Sequence, residues 1–355
     1  MKYKKVLITG GAGFVGSNIC LALKKEYAGI HILALDNLRR RGSELNVGRL
    51  ADAGVDFIRG DVRNQEDLSG IDPDLIIECS AEPSAQAGVT SSPSYVLSTN
   101  LIGAINCYEV ARKCSSDVIF ISTSRVYPYS VLENIKYEET ESRYKIPENI
   151  EMAGVSVDGI SEKFPLPGKR TFYGASKLSA ELILEEYREV YGVNASIIRY
   201  GMIAGPWQFG KVDQGIVAHW LAKHSFGGEL SYIGYGGLGK QVRDIVHVDD
   251  VVVLLRYQLE HPAVLTSKIY NAGGGVENSI SLLELTDYCQ EVTGNTIKIG
   301  KNDKARLGDI PLYYTDNSEI TKTTGWKPNK SIQNIIEDTY KWLISYKQQL
   351  VGLVG

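Results

Sequence analysis

Short apolar runs alternate with longer stretches of helical pattern through residues 1–200. This alternation is typical of βαβ units, and runs that are apolar throughout indicate strands covered by helices on both faces. Because crossovers between parallel strands are right-handed, the pattern predicts an α/β fold built on a doubly wound parallel sheet, with ligands at its carboxyl edge. The six predicted strands are KVLIT at 5–9, HILAL at 31–35, DFIRG at 56–60, DLIIECS at 74–80, DVIFIS at 117–122 and ASIIRY at 195–200.

The pattern becomes less regular after Gly205. Stretches rich in glycine and aromatic residues at 205–215 and 232–244 predict loops, and no βαβ unit recurs there. An apolar helix at 246–259 and a short strand at 268–271 are expected to return to the sheet. This part of the chain therefore predicts a smaller, discontinuous α/β lobe that binds the substrate.

The segment 128–170 has no clear periodicity and many charges and prolines, so it predicts a long excursion between a strand and the next helix. At 355 residues the chain exceeds the size at which a single core usually stops growing, so two domains are expected. The predicted domains are a sheet domain of residues 1–200 plus about 246–271, and a substrate-binding lobe of about 201–245 plus 272–355.

Charge and cysteine usage narrow the class of partner. The formal net charge is −4, and no basic block suits a nucleic acid or an anionic membrane, so small molecules are the expected partners. The five cysteines and five histidines show no metal-ligand spacing, so no metal site is expected. The N-terminal MKYKKVLITGG holds too short an apolar run for a signal peptide, which favours a reduced, cytoplasmic location.

A glycine-rich turn follows the first predicted strand, in VLITGGAGFVGSN. Gly10 and Gly13 would let the backbone turn tightly and approach a pyrophosphate, and Gly16 would permit close packing of helix on strand. The helix N-terminus at Phe14 and Val15 would then face the phosphates with free N–H groups. A purely structural turn would explain the same glycines, but the strand–turn–helix context favours a Rossmann-like dinucleotide site.

Residues at the next strand ends indicate which dinucleotide binds. A carboxylate at Asp36 would accept from both adenosine ribose hydroxyls and repel a 2′-phosphate, which favours NAD over NADP. The arginines at 39–41 leave NADP open, because guanidinium binds such a phosphate, or they belong to a solvated loop. Asp61 and Val62 follow the third strand, where they would meet the adenine amino group or form an ordinary turn. The remaining predicted cofactor contacts are Asn37, Ser80 and Ala81.

One of the 21 tyrosines has a lysine four residues later: Tyr173 is followed by Lys177, in TFYGASKLSAELILEEY. This spacing places both side chains on one helix face. A free phenol is a poor base at neutral pH, but an adjacent ammonium and an oxidised nicotinamide favour the phenolate, which can take a sugar-hydroxyl proton as hydride leaves the same carbon. The pattern alone would often be a surface pair, whereas behind a dinucleotide-binding half it predicts catalysis.

A hydroxyl side chain is expected at the end of the fifth strand, where FISTSRVYP supplies Ser122, Thr123 and Ser124. A hydroxyl there can hydrogen-bond the reacting oxygen, although small hydroxyl residues at strand ends are often only structural. The chain has neither a G-x-S-x-G elbow nor a G-x-x-x-x-G-K-[ST] loop, which argues against serine hydrolases and P-loop transferases.

Five motifs, in order, resemble the NAD-dependent sugar epimerase/dehydratase family: GGAGFVG, DNLRRRG, STSRVY, YGASK and VRDIVHVDD. The resemblance spans nearly the whole chain. Within that family, ECSAEPSA at 78–85, STSRVYP at 122–128, IAGPWQFGKVDQG at 203–215 and GKQVRD at 239–244 are most similar to epimerases that invert carbon 2 of a 3,6-dideoxyhexose attached to CDP.

The resemblance implies roles for individual residues. Thr123, Tyr173 and Lys177 would form the catalytic trio. Asn100, in STNLIGAIN, would lie near the nicotinamide ribose. These residues, together with the glycine turn, make the sheet domain the expected NAD-binding domain.

Two arginines are implied as diphosphate ligands. Arg243 and Arg306 would grip the substrate diphosphate, because guanidinium forks match phosphate oxygens in paired hydrogen bonds. The alternative is that either arginine merely pairs with the neighbouring Asp244 or Asp309. The other implied substrate contacts are Ser124, Arg125, Gln208 and Gln214.

The chain also departs from its relatives. Related 4,6-dehydratases carry Thr-Asp-Glu at the fifth strand's end, where this chain has Thr123, Ser124 and Arg125, so dehydration is not expected. Many family members have R-Y-F-N after the sixth strand, whereas this chain reads RYGM with Met202. The sugar pocket is therefore expected to differ from that of 4-epimerases.

The sequence thus predicts an isomerase that oxidises carbon 2 of a CDP-sugar to a transient 2-ketosugar and returns hydride to the other face. A UDP-hexose 4-epimerase, another nucleotide-sugar epimerase or decarboxylase, and a non-catalytic NAD-binding sensor or scaffold are the alternatives. The resemblance further implies a homo-oligomer, either a dimer or a tetramer. Helices at about 94–113 and 173–191 would pair across its two-fold axis, unless their apolar faces pack on the sheet.

Overall fold

All six apolar runs form strands in the computed structural model, which describes residues 2–264, 266 and 268–354. The strands in these ranges, β1 to β17 in chain order, are Lys5–Thr9, His31–Asp36, Asp56–Arg59, Leu75–Glu78, Asp117–Thr123, Glu138–Glu139, Tyr144–Lys145, Val155–Ser156, Gly159–Ile160, Ala195–Tyr200, Met202–Ala204, Leu230–Ile233, Val242–His247, Tyr270–Ala272, Ser279–Ser281, Ile299–Asn302 and Leu312–Tyr313.

The longest of the described helices are Phe172–Tyr191 with 20 residues and Ile332–Ser345 with 14. A π-helical segment, Ser98–Ile102, connects the third α-helix to the fourth. Short 3-10 turns occur at Gln65–Leu68, Ser124–Val126 and Tyr235–Gly237. The α-helices, α1 to α12, are Phe14–Glu26, Glu44–Asp52, Ser94–Leu97, Gly103–Cys114, Tyr129–Leu132, Phe172–Tyr191, Ile216–Phe226, Val248–Glu260, Leu282–Thr293, Ser318–Thr324, Ile332–Ser345 and Lys347–Leu350.

Seven strands form the main sheet, in the order β14-β10-β5-β4-β1-β2-β3. The pairings of β1 are parallel, with Val6 opposite both Ile32 and Leu75. From β1 the chain winds outward through β2 and β3, then crosses to β4 on the other side of β1. This reversal is the switch point at which doubly wound sheets bind ligands, beside the carboxyl ends of the strands. The predicted α/β fold with a doubly wound parallel sheet is confirmed.

Successive strand residues enter two separate cores. Leu7 and its counterparts on neighbouring strands pack with residues of α4 and α6 such as Tyr108 and Leu184. Ile8, one residue further on, belongs to the other core with Ile19 of α1. Because strand side chains alternate between faces, helices cover both sides of the sheet, as the continuous apolar runs predict.

The chain divides into two units, each assembled from three segments, and it passes from the first to the second directly after β5. The first unit comprises Met1–Thr123, Phe172–Arg199 and Val252–Tyr270, and the second comprises Ser124–Thr171, Tyr200–Val251 and Asn271–Gly355.

The second unit is organised around β13, which pairs with β11, β15 and β17, while β12 pairs with β16. The loop predicted at 232–244 is therefore wrong at both ends, because it starts in β12 and finishes in β13. The partner strands of both lie far along the chain, and local periodicity cannot reveal such pairing. The helix predicted at 246–259 begins at Val248, since His247 still belongs to β13.

The excursion at 128–170 contains helix α5 and two small hairpins of the second unit, β6 with β7 and β8 with β9. Arg143, in the turn of the first hairpin, forms an ion pair with Glu284 of α9 and donates to the Ser279 carbonyl at 2.9 Å. Between the hairpins and α6, Arg170 donates to the Val126 carbonyl at 2.9 Å. These contacts fix a segment that has no helical or strand period of its own.

Across the ranges that the structure describes, no helix is both long and apolar enough to cross a bilayer. The same ranges contain no group of three His, Cys, Asp or Glu side chains that could hold a metal ion. All five cysteines are free thiols.

Candidate functional site

The turn after β1 is too tight for side chains at its glycines. Gly10 has a left-handed φ of 64°, and its carbonyl accepts the Gly13 N–H at 2.9 Å. A Cβ at Gly16 would lie 2.2 Å from the Gly10 oxygen. Helix α1 then begins with Phe14 and Val15, whose N–H groups have no partner within the helix, as at any helix start. The turn therefore presents backbone donors where a pyrophosphate can approach.

Asp36, the last residue of β2, contacts the same turn. Its Oδ2 accepts the Ala12 N–H at 3.2 Å and its Oδ1 accepts the Leu38 N–H at 2.8 Å. Burial raises the pKa of Asp36, and these backbone donors oppose the rise. A glycine turn that a Cβ would fill, a helix start and a carboxylate with lone pairs for ribose hydroxyls together fit NAD.

Asn37 and Asp61, at the ends of neighbouring strands, are brought together. The Asn37 amide donates to the Asp61 carboxylate at 2.9 Å. Asp61 also pairs with Arg63 at 2.6 Å, and this hydrogen bond is the main reason that its pKa is lowered to about 2. The Arg39 guanidinium lies 3.9 Å from the centre of the Tyr95 ring, and Arg39 is exposed in the loop after β2.

Asn100 joins the loop after β4 to helix α6. Its Nδ2 donates to the Glu82 carbonyl and to the Ser176 hydroxyl, each at 3.2 Å, and its Oδ1 accepts the Glu82 N–H at 2.8 Å. Ser176 in turn donates to the Tyr173 carbonyl at 2.9 Å. Asn100 therefore fixes the first turn of α6 relative to the loop that carries Ser80 and Ala81. Of the other predicted cofactor contacts, Val62 and Ser80 are buried and Ala81 is half-buried.

Tyr173 and Lys177 lie one turn apart in the first half of α6. Tyr173 is half-buried, whereas only 1% of Lys177 is exposed. The Lys177 ammonium lies 3.4 Å from a carboxylate oxygen of Glu78 and 3.9 Å from the centre of the Phe120 ring. The lysine is thus held at its far end by a strand-end carboxylate and an aromatic face.

The three hydroxyl residues at the end of β5 have different surroundings. Ser122 donates a hydrogen bond to Glu181, whose carboxylate is also bound by the buried Arg199, with Nη2 to Oε2 at 2.7 Å. Ser122 is thereby engaged in the core of the first unit. Thr123 is the last residue of β5, and Ser124 begins the 3-10 turn that follows in the second unit. Thr123 is therefore the strand-end hydroxyl of the first unit, which also contains Tyr173.

Two predicted substrate arginines lie close together in the second unit. Arg125 donates to the Gly308 carbonyl at 3.2 Å, and Arg243 pairs with Asp309 at 3.1 Å. Burial, followed by the charge of Arg125, lowers the pKa of Arg243 to about 10. Of the two carboxylates considered from sequence, Asp309 is the partner of Arg243, whereas Asp244 accepts backbone N–H groups.

Three more of the predicted substrate contacts lie on three turns of the second unit, at 205–208, 211–214 and 306–309. Arg306 donates to the Val212 carbonyl at 3.3 Å, and its own carbonyl accepts the Asp309 N–H at 3.1 Å. The turn at 306–309 thus carries both Arg306 and Asp309, the partner of Arg243. Gln208 donates to a carbonyl of β11 at 2.8 Å, and Gln214 closes a turn directly before α7. The structure brings the Arg125, Arg243 and Arg306 segments together around residues 306–309.

Three residues to which the sequence analysis assigns no role support these regions. Asn46 is buried and donates to the Ala12 carbonyl at 2.8 Å, which braces the glycine turn from α2. A Cβ at Gly11 would lie 2.7 Å from the Ala34 Cβ, so this glycine is also required. Tyr235 donates to the Asp309 carbonyl at 3.2 Å. The doubled glycine in TGGAGF was a visible signal for Gly11, whereas no local pattern marks Asn46.

This combination of a doubly wound sheet, a glycine turn with a strand-end carboxylate, and a Tyr-x-x-x-Lys helix defines the class. A family model described as the NAD dependent epimerase/dehydratase family matches residues 6–273. The chain belongs to this family, and its cofactor is NAD. A UDP-glucose 4-epimerase from Thermus thermophilus, solved in complex with NAD, is 27% identical, covers 96% of this chain and 99% of its own, and superposes with a TM-score of 0.74.

Individual relatives match along nearly the whole chain. The CDP-paratose 2-epimerase of Salmonella typhi is 31% identical over 96% of this chain and 99% of its own length. A putative UDP-glucose 4-epimerase of Methanocaldococcus jannaschii is 27% identical over 95% of this chain and 98% of its own length. The crystal structure of a Thermotoga maritima UDP-glucose 4-epimerase with UDP-glucose superposes with a TM-score of 0.78 at 25% identity. The match covers 97% of this chain and 99% of that one. The similarity therefore includes both units.

Proposed function

We propose that this protein is a nucleotide-sugar epimerase, an isomerase that inverts carbon 2 of CDP-paratose to give CDP-tyvelose. The observation that carries the epimerase proposal is helix α6, where Tyr173 and Lys177 lie one turn apart in the unit that contains the NAD-binding turn. The choice of a CDP-sugar is supported by the relative that is 31% identical over 96% of the chain.

In the proposed reaction, Tyr173 takes the proton of the C2 hydroxyl as that carbon is oxidised to a ketone. Bound NAD supplies a reversible hydride acceptor, so no added reductant is needed. The Lys177 ammonium favours the phenolate form of Tyr173, and the Thr123 hydroxyl hydrogen-bonds the reacting oxygen. The bound 2-ketosugar rotates so that its other face is presented for reduction. Tyr173 returns the proton when carbon 2 is reduced on that face.

We assign NAD binding to the first unit and nucleotide-sugar binding to the second. Arg125 and Arg243 contribute two guanidinium groups, and Asp309 contributes one carboxylate, so these three side chains carry a net positive charge. That charge suits a diphosphate, which guanidinium groups bind in paired hydrogen bonds. Arg306, on the same turn as Asp309, would add a third donor. Ser124, Gln208 and Gln214 are the remaining proposed substrate contacts.

Dehydration is not part of the proposal. Elimination of water from a sugar needs an acid and a base, and the 4,6-dehydratases that this chain resembles carry an Asp-Glu pair directly after the hydroxyl residue that ends the fifth strand. This chain has Ser124 and Arg125 there, and Arg125 donates to the Gly308 carbonyl at 3.2 Å. A guanidinium at this place favours binding of an anion over proton transfer.

A UDP-hexose 4-epimerase is the second candidate, favoured by the whole-length relatives that carry that name. The two are separated by incubating purified protein with CDP-, UDP-, GDP- and dTDP-sugars and following epimers by NMR. Inversion at carbon 2 of CDP-paratose supports the proposal, and inversion at carbon 4 of a UDP-sugar overturns it. In deuterated water, direct hydride return places no deuterium at the inverted carbon, whereas enolisation would.

Replacing Tyr173 by Phe should lower kcat by about 100- to 10,000-fold, because the proton acceptor is lost while the ring remains. NAD content and the unfolding midpoint should match those of the unmodified protein. Tyr191→Phe is the matched control, since Tyr191 lies on the same helix and is 56% exposed. A Tyr173→Phe variant with near-normal turnover would remove Tyr173 from the mechanism.

We also propose a homo-oligomer formed through α4 and α6. Both helices contribute to one core of the sheet, yet Leu182 and Val190 of α6 remain 53% and 63% exposed, and Ile102 just before α4 is 47% exposed. Apolar residues that remain outside a core suit a two-fold helix pairing between copies. Light scattering on the purified protein should give a dimer or tetramer, and a monomer would refute this part.

A further inference from the structure

A buried carboxylate pairs with the lysine of the Tyr-x-x-x-Lys motif. Glu78 is the last residue of β4, and its Oε2 lies 3.4 Å from Lys177 Nζ, with the two side chains only 1% and 2% exposed. Burying an ammonium is costly unless a counter-charge lies close to it. Glu78 supplies that charge from a neighbouring element, 99 residues away in sequence.

Among the described residues, the other groups around Glu78 do not provide a competing cation. Cys107 and Tyr108 face it from α4, and Cys79 follows it in the chain. Burial, and then the charge of Glu78, raises the pKa of each of these three groups, so they are neutral at ordinary pH. From β1, the Thr9 hydroxyl helps to stabilise the carboxylate. Lys177 is thus the cation that faces Glu78.

Lys177 and Glu78 are either an ion pair or two neutral groups, depending on which of them holds the shared proton. Burial raises the pKa of Glu78, and Lys177 is the largest of the influences that lower it. At 3.4 Å, transfer of a proton from Lys177 to Glu78 would exchange an ion pair for two neutral groups. The Phe120 ring, whose centre lies 3.9 Å from Nζ, favours the charged lysine because an aromatic face attracts cations.

We propose that Glu78 is a positioning residue whose carboxylate holds the buried Lys177 in place and keeps it an ammonium, one helical turn from Tyr173. The inference rests on the proposed function, in which that ammonium favours the Tyr173 phenolate. A negative charge at Glu78 stabilises the protonated forms of its neighbours. The carboxylate therefore sets the pH window in which Tyr173 is a phenolate while Lys177 is still charged.

The test is the pH profile of kcat for Glu78→Gln, which keeps the shape and removes the charge. Both the acid limb, from Tyr173, and the alkaline limb, from Lys177, should move to lower pH by about one unit or more. Glu78→Asp, which keeps the charge, should restore most of the shift. Glu109→Gln is the control, because Glu109 pairs with Arg112 of the same helix, α4. The pH profile of this variant should keep both limbs where they lie in the unmodified protein. The proposal would be overturned if Glu78→Gln lowers activity but leaves both limbs of the pH profile where they lie in the unmodified protein.

A second measurement does not depend on turnover. NMR of protein labelled with ¹³C at the lysine Cε, with the Lys177 signal assigned by Lys177→Arg, follows the charge of Lys177 directly. In the unmodified protein the signal should be that of an ammonium at neutral pH, and in Glu78→Gln it should lose its proton at lower pH. A neutral Lys177 in the unmodified protein overturns the inference even if no Glu78 variant folds. Absence of activity on every nucleotide sugar would instead refute the proposed function and leave this result standing.

Discussion

At the scale of single residues, Asp36 is the side chain expected to separate NAD from NADP. Asp36→Asn should weaken NAD binding by about 10- to 100-fold, because a hydrogen-bond acceptor loses its charge. The preference for NAD over NADP should narrow, since the Asp36 charge no longer repels a 2′-phosphate and Arg39 lies nearby on Tyr95. Calorimetric titration with both cofactors measures this, with the exposed Asp52→Asn as control. An unchanged ratio of NAD to NADP affinity would exclude this role for Asp36.

At the scale of elements, β5, α6 and β10 are joined by a buried polar network. Glu181 of α6 accepts from Ser122 of β5 and pairs with Arg199 of β10, and both charged side chains are at most 5% exposed. Glu181→Gln should lower the free energy of unfolding by about 3–5 kcal/mol, because the Arg199 charge stays buried without its partner. Urea unfolding measures the loss. Glu291→Gln, on the exposed side of α9, should change stability by less than about 0.5 kcal/mol. Equal losses in the two variants would contradict the assignment.

At the scale of the whole molecule, buried histidines of the second unit make stability depend on pH. Burial lowers the pKa of His219 to about 4, below its unfolded value of 6.5. The unfolded chain therefore binds more protons in this window, and the stability that neutral His219 contributes is lost as the pH falls from about 6.5 towards 4. Buried acids such as Asp244, with raised pKa, act in the opposite direction, so the net slope is a sum.

Comparing the unmodified protein with a His219→Gln variant isolates the contribution of His219 to the pH dependence of stability. Between pH 6.5 and 5, His219→Gln should lose about 1.5 kcal/mol less stability than the unmodified protein, because each fully unmatched proton is worth about 1.4 kcal/mol per pH unit and the unfolded histidine is only half protonated at pH 6.5. Urea unfolding at a series of pH values measures both proteins. His261→Gln is a suitable control, since His261 is exposed. Parallel pH curves for His219→Gln and the unmodified protein would show that His219 does not bind protons differently in the two states.

The sequence by itself determined the features that depend on neighbouring residues. Continuous apolar runs specified the strands of the parallel sheet, because a strand covered on both faces needs no polar side. The glycine turn was equally visible, since Gly10 and Gly16 are needed for reasons of local backbone space. The i,i+4 spacing of Tyr173 and Lys177 placed them on one helix face without any further information.

The tertiary structure decided the features that depend on residues far apart in the chain. It distinguished Ser122, which is engaged with Glu181, from Thr123 at the strand end, and it paired Arg243 with Asp309 rather than Asp244. It also revealed the end of β12 and the start of β13 in a stretch predicted as a loop. In each case the deciding partner is distant in sequence, so hydrogen bonding and charge pairing could act only once the chain had folded.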